Sequence, residues 1–165
     1  MEQATSKNLA SASDKNKRIF DFLSSHYTGV LSTVDLDKEP YVSVLYYSVD
    51  EQFNITFTTK QGTKKAANLR NNCNAMFLVY DEKTQTTVQA RVKAEDLSGS
   101  PEQTEIFRHT IEASMSTSDG GIPPISKLAA GDYTAFRLRP VHISMAVFGR
   151  PDAGDYDETF ESVDL

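Results

Sequence analysis

The sequence predicts a mainly β (α+β) domain in which six antiparallel strands form a small closed or split barrel with a few flanking helices. Six segments are β-branched, aromatic or alternating in polarity, as strands require. One helical segment interrupts them after the third strand, so the β-α-β-α order of a parallel nucleotide-binding sheet is not present. The chain has 165 residues, of which 39% are hydrophobic, and this is enough for one core.

Three regions follow one another along the chain. Residues 1–13 are small and polar and are expected to form a flexible N-terminal tail. Residues 14–150 contain the predicted strands and helices and form a single domain without an internal repeat. Residues 151–165 are expected to form a solvated acidic tail, which carries Asp152, Asp155, Asp157, Glu158, Glu161 and Asp164.

The first half of the domain is predicted as one helix and three strands. Residues 14–26 have helical periodicity, and Gly29 ends that segment. The strands that follow are separated by polar turns, and they are predicted over residues 30–34, 41–49 and 54–58.

The second half is predicted as two helices and three strands. A helix over residues 62–72 precedes strands over 75–80 and 86–97, and the final strand covers 132–148. The strand over 86–97 alternates in polarity, so its inward face is predicted to consist of Val88, Ala90, Val92 and Ala94.

The third helix is expected to begin at Ser100. Ser100 would cap it, Pro101 suits the first helical position, and Gln103 completes a capping box. The helix is predicted to end near Ala113. The segment 114–124 is rich in Ser, Gly and Pro and is expected to be a mobile loop.

The composition argues against several classes of function. The net charge of −6 does not suit a nucleic-acid partner. No apolar run approaches the length of a membrane span, and the N-terminus lacks a secretory pattern, so a cytoplasmic protein is expected. The single cysteine, Cys73, excludes an internal disulfide. No metal site is predicted, because His26, His109 and His142 lack metal-ligand spacing.

The segment from Gln52 to Tyr80 carries the first indication of function, since this stretch of an acidic protein has no Asp or Glu. A helix is predicted to begin after Thr63, a good N-cap residue, yet Lys64 and Lys65 follow it. Cations are unfavourable in the first turn of a helix, whereas a phosphate there would accept bonds from backbone N–H groups, hydroxyls and both ammonium groups. A phosphate site is therefore predicted, and exposed lysines that only aid solubility are the alternative.

The run from Pro40 to Leu97 resembles the flavin-binding core of pyridoxamine 5′-phosphate oxidases and their FMN-binding split-barrel relatives. In that family an extended strand meets the flavin ring, and here it reads Ser43-Val-Leu-Tyr-Tyr-Ser48. An aromatic-Thr strand end and a Ser-Arg-Lys motif follow, matched here by Phe57-Thr58-Thr59 and Thr63-Lys64-Lys65. A later Gln-x-Arg-Val strand is similar to Gln89-Ala90-Arg91-Val92.

The resemblance implies a six-stranded antiparallel split β-barrel that binds FMN and forms a homodimer with two flavin sites at its interface. The backbone of the first four residues of the ring-facing strand would bind the ring edge, two threonine-lysine segments would hold the phosphate, and one glutamine would contact the flavin. No catalytic side chain is assigned, because the cofactor supplies the redox chemistry. The implied cofactor-binding residues are Ser43, Val44, Leu45, Tyr46, Thr58, Thr59, Thr63, Lys64, Lys65 and Gln89.

The sequence also departs from the true oxidases. Ser43 and Ser48 stand where those enzymes have Arg and Lys, and the oxidase's C-terminal Trp and paired Arg-His motif are missing. The chain is therefore more similar to the general-stress-type members and is not expected to oxidise pyridoxamine phosphate. The predicted function is an FMN-dependent oxidoreductase with a small-molecule redox substrate. A flavin carrier or sensor, the same fold with deazaflavin or haem, and an interaction module stay open as alternatives.

Overall fold

The computed structural model of the chain describes residues 2–117, 132–148 and 160–164. These residues form three helices and eight strands. The helices are α1 (Glu2–Ser25), α2 (Lys64–Asn71) and α3 (Gln103–Ser116). The strands are β1 (Thr28–Val34), β2 (Pro40–Tyr46), β3 (Ser48–Val49), β4 (Ile55–Lys60), β5 (Asn74–Asp81), β6 (Thr86–Asp96), β7 (Tyr133–Val147) and β8 (Phe160–Asp164).

The strands form one antiparallel sheet in the order β2-β1-β5-β6-β7-β4-β3, and β8 pairs with β7. The sheet curls until β2 contacts β4, although no hydrogen-bonded ladder joins these two strands in the described part of the chain. The fold is therefore the predicted antiparallel split β-barrel, and the split lies between β2 and β4. The sheet has eight strands rather than the predicted six, and the two additional strands are β3 and β8.

The predicted strand over 41–49 is divided into β2 and β3 at Tyr47. The ring of Tyr47 is buried, and its hydroxyl donates a hydrogen bond to the carbonyl of Leu23 at 2.7 Å. Its backbone N–H donates to the carbonyl of Tyr27 at 3.1 Å. The bond to Tyr27 extends the pairing with β1 by one residue, whereas the hydroxyl bond anchors Tyr47 to the end of α1; after Tyr47 the chain leaves β1 and pairs with β4 instead.

The interior of the barrel is filled by large apolar side chains. Leu31, Phe57, Phe77 and Phe136 are each at most 1% exposed. Gly29 makes room for one of them, since a Cβ atom at this position would lie 2.2 Å from Cζ of Phe77. The predicted alternation in β6 is confirmed for three of its four residues, which are at most 1% exposed: Val88, Ala90 and Val92.

Helix α1 begins at Glu2 rather than near Asp14, so the segment that was predicted as a loose tail is helical as well. Residues 2–10 include Ala, Glu, Gln, Lys and Leu, which are strong helix formers despite their mostly polar character. None of the described helices is long and apolar enough to cross a membrane.

The predicted start of α3 is wrong by two residues, since the cap was predicted at Ser100 and lies at Glu102. A tight turn, in which the N–H of Gln103 donates to the carbonyl of Ser100, precedes the helix and leaves Glu102 at the N-cap. The side chain of Gln103 accepts a bond from the N–H of Gly99 at 2.6 Å instead of closing a box with Ser100. Ser100 and Pro101 therefore belong to the short connection between β6 and α3 and not to the helix.

The acidic C-terminal segment is not wholly a solvated tail, since β8 belongs to it. Strand β4 covers one edge of β7 only over residues 133–138, and β8 continues on that edge over residues 142–146. An open edge offers unpaired N–H and C=O groups, which β8 satisfies. Residues 118–124 of the predicted mobile loop lie outside the described residues, and residues 114–116 belong to α3.

Candidate functional site

Strand β2, which contains the predicted ring-facing residues, is an edge strand. Among the described residues its only ladder partner is β1, so its other edge faces the split. Leu45 is buried and Val44 is 69% exposed, which places Ser43 and Leu45 on the inner face of the strand and Val44 and Tyr46 on the outer face. The backbone groups on the free edge are therefore available to a ligand.

Ser43 lies on the inner face with a buried hydroxyl. Its Oγ atom has no hydrogen-bond partner among the described residues. Buried polar atoms are almost always hydrogen-bonded, so an orphaned hydroxyl beside a gap between strands is an unusual feature. A ligand or water in the split would satisfy it.

The start of α2 lacks the usual capping bond. Thr63 occupies the N-cap position with an extended backbone, as predicted, but makes no side-chain cap bond. Its hydroxyl donates instead to the carbonyl of Lys60 at 3.0 Å. Because the first turn also contains no acidic residue, the N–H groups at this end have neither a capping side chain nor a compensating carboxylate.

Lys65 forms a cluster with the hydroxyls of Thr59 and Thr63, two of the residues predicted to bind the phosphate. Its Nζ atom donates to Oγ1 of Thr59 at 3.4 Å, and that oxygen lies 3.2 Å from Oγ1 of Thr63. No carboxylate lies within ion-pair distance of Lys65 in the described part of the chain. Burial lowers the pKa of Lys65, because the ammonium is partly removed from water without an opposite charge. An anion at this position would supply that charge.

Lys64 is paired with a carboxylate outside this cluster. Its Nζ atom lies 3.0 Å from Oδ2 of Asp35, in the turn between β1 and β2. The hydrogen bond from Lys64 holds the pKa of Asp35 below its usual value. The two lysines that are adjacent in sequence therefore have different environments, one paired with a carboxylate and one not.

Thr58 and Gln89 lie elsewhere on the barrel. Thr58 is 6% exposed and faces α3, where its Oγ1 accepts a bond from Thr110 at 3.4 Å. Gln89 lies on the outer face of β6 and belongs to one cross-strand row with three other residues, in the order Val44, Val30, Leu78 and Gln89. The structure thus brings Thr59, Thr63 and Lys65 together, and places Thr58 and Gln89 on other surfaces.

Arg70 and its partner Asp96 had no predicted role in the site. Arg70, at the end of α2, donates a bond to Asp96 at 2.6 Å and another to the carbonyl of Gln61 in the turn before α2. Arg70 was visible in the sequence only as one more cation of an acid-free segment. Its pairing with Asp96 joins segments that are distant in sequence, as does the pairing of Lys64 with Asp35. No local sequence pattern predicts either pairing.

Two concave regions are lined by described residues. A cavity of about 340 Å³ is lined by the turn before α2 together with Asp132, and Thr63 belongs to that lining. A groove of about 490 Å³ lies between the end of α1, β3, β4 and α3. The hydroxyls of Ser48 and Thr56, which are 2.9 Å apart, lie in this groove. Among the described residues, no three potential metal ligands converge.

The comparison with protein families gives a match over most of the chain. The model of the family described as pyridoxamine 5′-phosphate oxidase matches residues 16–146. No curated protein matches the chain.

Solved structures of several differently named proteins have a similar fold. A conserved hypothetical protein of Mycobacterium tuberculosis is 24% identical, with a TM-score of 0.64, over 77% of this chain and 81% of its own. A pyridoxamine 5′-phosphate oxidase-related, FMN-binding protein of Nostoc punctiforme PCC 73102 is 13% identical, with a TM-score of 0.60, over 96% and 95%. A haem-binding protein of Mycobacterium smegmatis is 14% identical, with a TM-score of 0.65, over 91% and 57%. At these identities the likeness establishes the fold alone.

Proposed function

The chain belongs to the pyridoxamine 5′-phosphate oxidase family, and from this premise we propose that it binds FMN and acts as a flavin-dependent oxidoreductase on a small-molecule redox substrate. One observation carries the proposal. The ammonium group of Lys65 is partly buried beside two threonine hydroxyls and has no carboxylate partner among the described residues. A phosphate group is the anion that would fit this arrangement at a helix N-terminus.

The residues around the split suit the rest of the cofactor. The phosphate would be held by Thr59, Thr63, Lys65 and the free N–H groups of α2. The open edge of β2 would bind the ring through the backbone of residues 43–46, and the orphaned hydroxyl of Ser43 offers a further polar contact. FMN supplies electron and hydride transfer when bound, and the protein binds and orients it.

We extend the proposal to a homodimer formed through the outer face of the sheet. Four large apolar side chains on this face are 42–69% exposed, namely Val42, Val44, Met76 and Tyr80. Several exposed apolar side chains on one face of a sheet are typical of an interface. Gln89 lies on the same face, so in a dimer it would come near a second copy and contribute to a site shared by two chains.

The groove of about 490 Å³ is the proposed position of the redox substrate. It lies beside the proposed ring-binding strand, because Ser48, which lines the groove, belongs to the segment that continues β2. Its lining includes the carboxylates of Asp50, Glu105 and Glu112. The carboxylates outnumber the one arginine of this lining, Arg137, so the groove disfavours a phosphorylated substrate, which agrees with the absence of the oxidase's substrate motif.

Haem is the second candidate ligand, and one observation favours it. Nδ1 of His26 lies 2.7 Å from the carbonyl of Phe22, which can only accept a hydrogen bond. In the neutral form of the ring, the proton would therefore be on Nδ1 and the lone pair of Nε2 would be available to a metal, and His26 lines the large groove. The carboxylates of Glu105 and Glu112 oppose the anionic side groups of haem, so FMN is the first choice.

Two measurements on the full chain test the proposal. The visible spectrum of the purified protein and the mass of any ligand released on denaturation distinguish flavin, deazaflavin and haem. Titration with FMN and with riboflavin then gives two dissociation constants, and we expect FMN to bind at least about tenfold more tightly because only FMN carries the phosphate. Equal affinities, or no flavin binding, would overturn the proposed site.

A further inference from the structure

We infer that Arg70 is a positioning residue for the phosphate end of the flavin site, acting through the turn that joins β4 to α2. The inference rests on the proposed function, since it concerns the same phosphate. It goes further by assigning a role to a residue that would not touch the ligand itself.

The guanidinium group of Arg70 connects three segments. Its Nε atom donates to Oδ2 of Asp96 at the end of β6, at 2.6 Å. One terminal nitrogen donates to the carbonyl of Gln61 at 3.4 Å, and the other donates to the hydroxyl of Ser98 at 3.3 Å. The group also lies over the ring of Phe136, with its carbon 5.8 Å from the ring centroid. A planar fork with five donors suits such a junction, whereas an ammonium group does not.

Asp96 is itself firmly held, so the anchor of Arg70 is rigid. Its Oδ1 atom accepts bonds from the backbone and hydroxyl of Ser98 and from Thr134, which is fully buried. Burial opposes ionisation of Asp96, but the hydrogen bonds from Ser98 and Arg70 outweigh it and hold its pKa below the usual value. The carboxylate is therefore charged at neutral pH and remains paired with Arg70.

The turn before α2 depends on this anchor. The carbonyl of Gln61 accepts the bond from Arg70, and the N–H of the same residue donates to the carbonyl of Asp132 at 3.0 Å. Thr63, two residues further on, is the N-cap residue of α2 and lines the cavity beside the turn. Both backbone groups of Gln61 are thus held, and this determines where the first N–H groups of α2 point.

An ordinary role in capping the end of α2 does not explain these contacts. A basic residue in the last turn of a helix usually bonds the last carbonyls of that helix. Arg70 instead bonds a carbonyl that precedes the helix, while the N–H of Asn72 donates to Asn68 at the C-terminal end. The side chain therefore links the two ends of α2, and its removal would leave the phosphate-binding end free to move.

The test compares FMN with riboflavin in wild type, Arg70→Ala and Arg70→Lys. We expect both variants to bind FMN about tenfold more weakly and riboflavin within about twofold of wild type, because a mobile turn must be ordered only when the phosphate binds. Lysine is not expected to rescue binding, since one ammonium cannot keep three separated contacts. The matched control is Arg139→Ala, which breaks a surface ion pair with Glu95 and leaves the turn intact.

Four outcomes decide the question. A folded Arg70→Lys variant with wild-type FMN affinity, or a variant that loses both ligands equally, would overturn the inference. If wild type itself does not prefer FMN, the proposed function fails. In that case amide hydrogen exchange still tests whether Arg70 holds the turn before α2, because residues 61–66 should exchange faster in Arg70→Lys than in wild type. Unchanged exchange there would refute it.

Discussion

The Nζ atom of Lys64 lies 3.0 Å from Oδ2 of Asp35, so the first cation of α2 already has an anionic partner within the protein. The other carboxylate oxygen of Asp35 accepts bonds from the N–H groups of Asp37 and Glu39, at 3.0 and 2.9 Å. The carboxylate is thereby held in place, and its side chain is only 14% exposed. A bound phosphate would have to share Lys64 with it.

Asp35→Asn is expected to tighten FMN binding by about threefold to tenfold. The substitution removes a negative charge near the proposed phosphate, while the amide oxygen can still accept the bonds of the turn. Calorimetric titration with FMN measures the change, and riboflavin affinity should not move. Asp37→Asn is the matched control, because it neutralises an acid of the same turn that is not paired with Lys64. Weaker FMN binding in Asp35→Asn would show that Asp35 orients Lys64 rather than competes for it.

Lys65→Met is expected to stabilise the ligand-free protein and to weaken FMN binding. The partly buried ammonium destabilises the folded state, so its removal should raise the free energy of unfolding by about 0.5–2 kcal/mol. The lost charge-assisted contact should weaken FMN binding at least tenfold, roughly 1.5–3 kcal/mol. Urea denaturation and flavin titration measure the two effects, and Lys60→Met, an exposed lysine of the same segment, is the control.

The pH dependence of this stabilisation has a defined sign. The pKa of Lys65 is lowered in the folded protein, so its penalty is fully present below that lowered pKa. As the pH rises towards the usual lysine value, the unfolded chain binds more protons than the folded chain, and the penalty disappears. The stability difference between Lys65→Met and wild type should therefore be smaller at about pH 10 than at about pH 7. A difference that does not change would argue against a buried charge.

Gly29→Ala is expected to destabilise the barrel by about 1–3 kcal/mol, because the new Cβ would meet the ring of Phe77 at 2.2 Å. Phe77 is 1% exposed and cannot move aside without disturbing the core. Thermal unfolding with calorimetry measures the effect. Gly62→Ala is the matched control, since no atom lies within 4 Å of its added Cβ. Equal stability of the two variants would contradict the packing described here.

Val44→Glu is expected to break the proposed dimer. Val44 is 69% exposed, so a monomer tolerates the charge, whereas a symmetric interface would bury two carboxylates. Sedimentation velocity should show that the dissociation constant of the dimer is raised by about 100-fold or more. Leu36→Glu is the control, because Leu36 is 78% exposed in a turn away from this face. A dimer that survives Val44→Glu would move the interface elsewhere.

The strands and the core face were predictable because they depend on local periodicity. In β6 the alternation of Val88, Ala90 and Val92 with polar residues is visible in the sequence, and burial follows it. The division of β2 from β3 at Tyr47 was not predictable, because Tyr47 is anchored by a bond to Leu23 of α1, which is distant in sequence. The pairing of β8 with β7 was missed because the acidic composition of the segment is typical of a solvated tail.

The sequence by itself determined that a cationic helix start follows a threonine-rich strand end, and this pattern together with the family resemblance indicated a phosphate site. Only the tertiary structure decided that Lys65 faces the hydroxyls while Lys64 pairs with Asp35. The physical reason is that helix periodicity directs adjacent side chains to different sides, whereas the partner on each side is supplied by whichever segment the fold brings there.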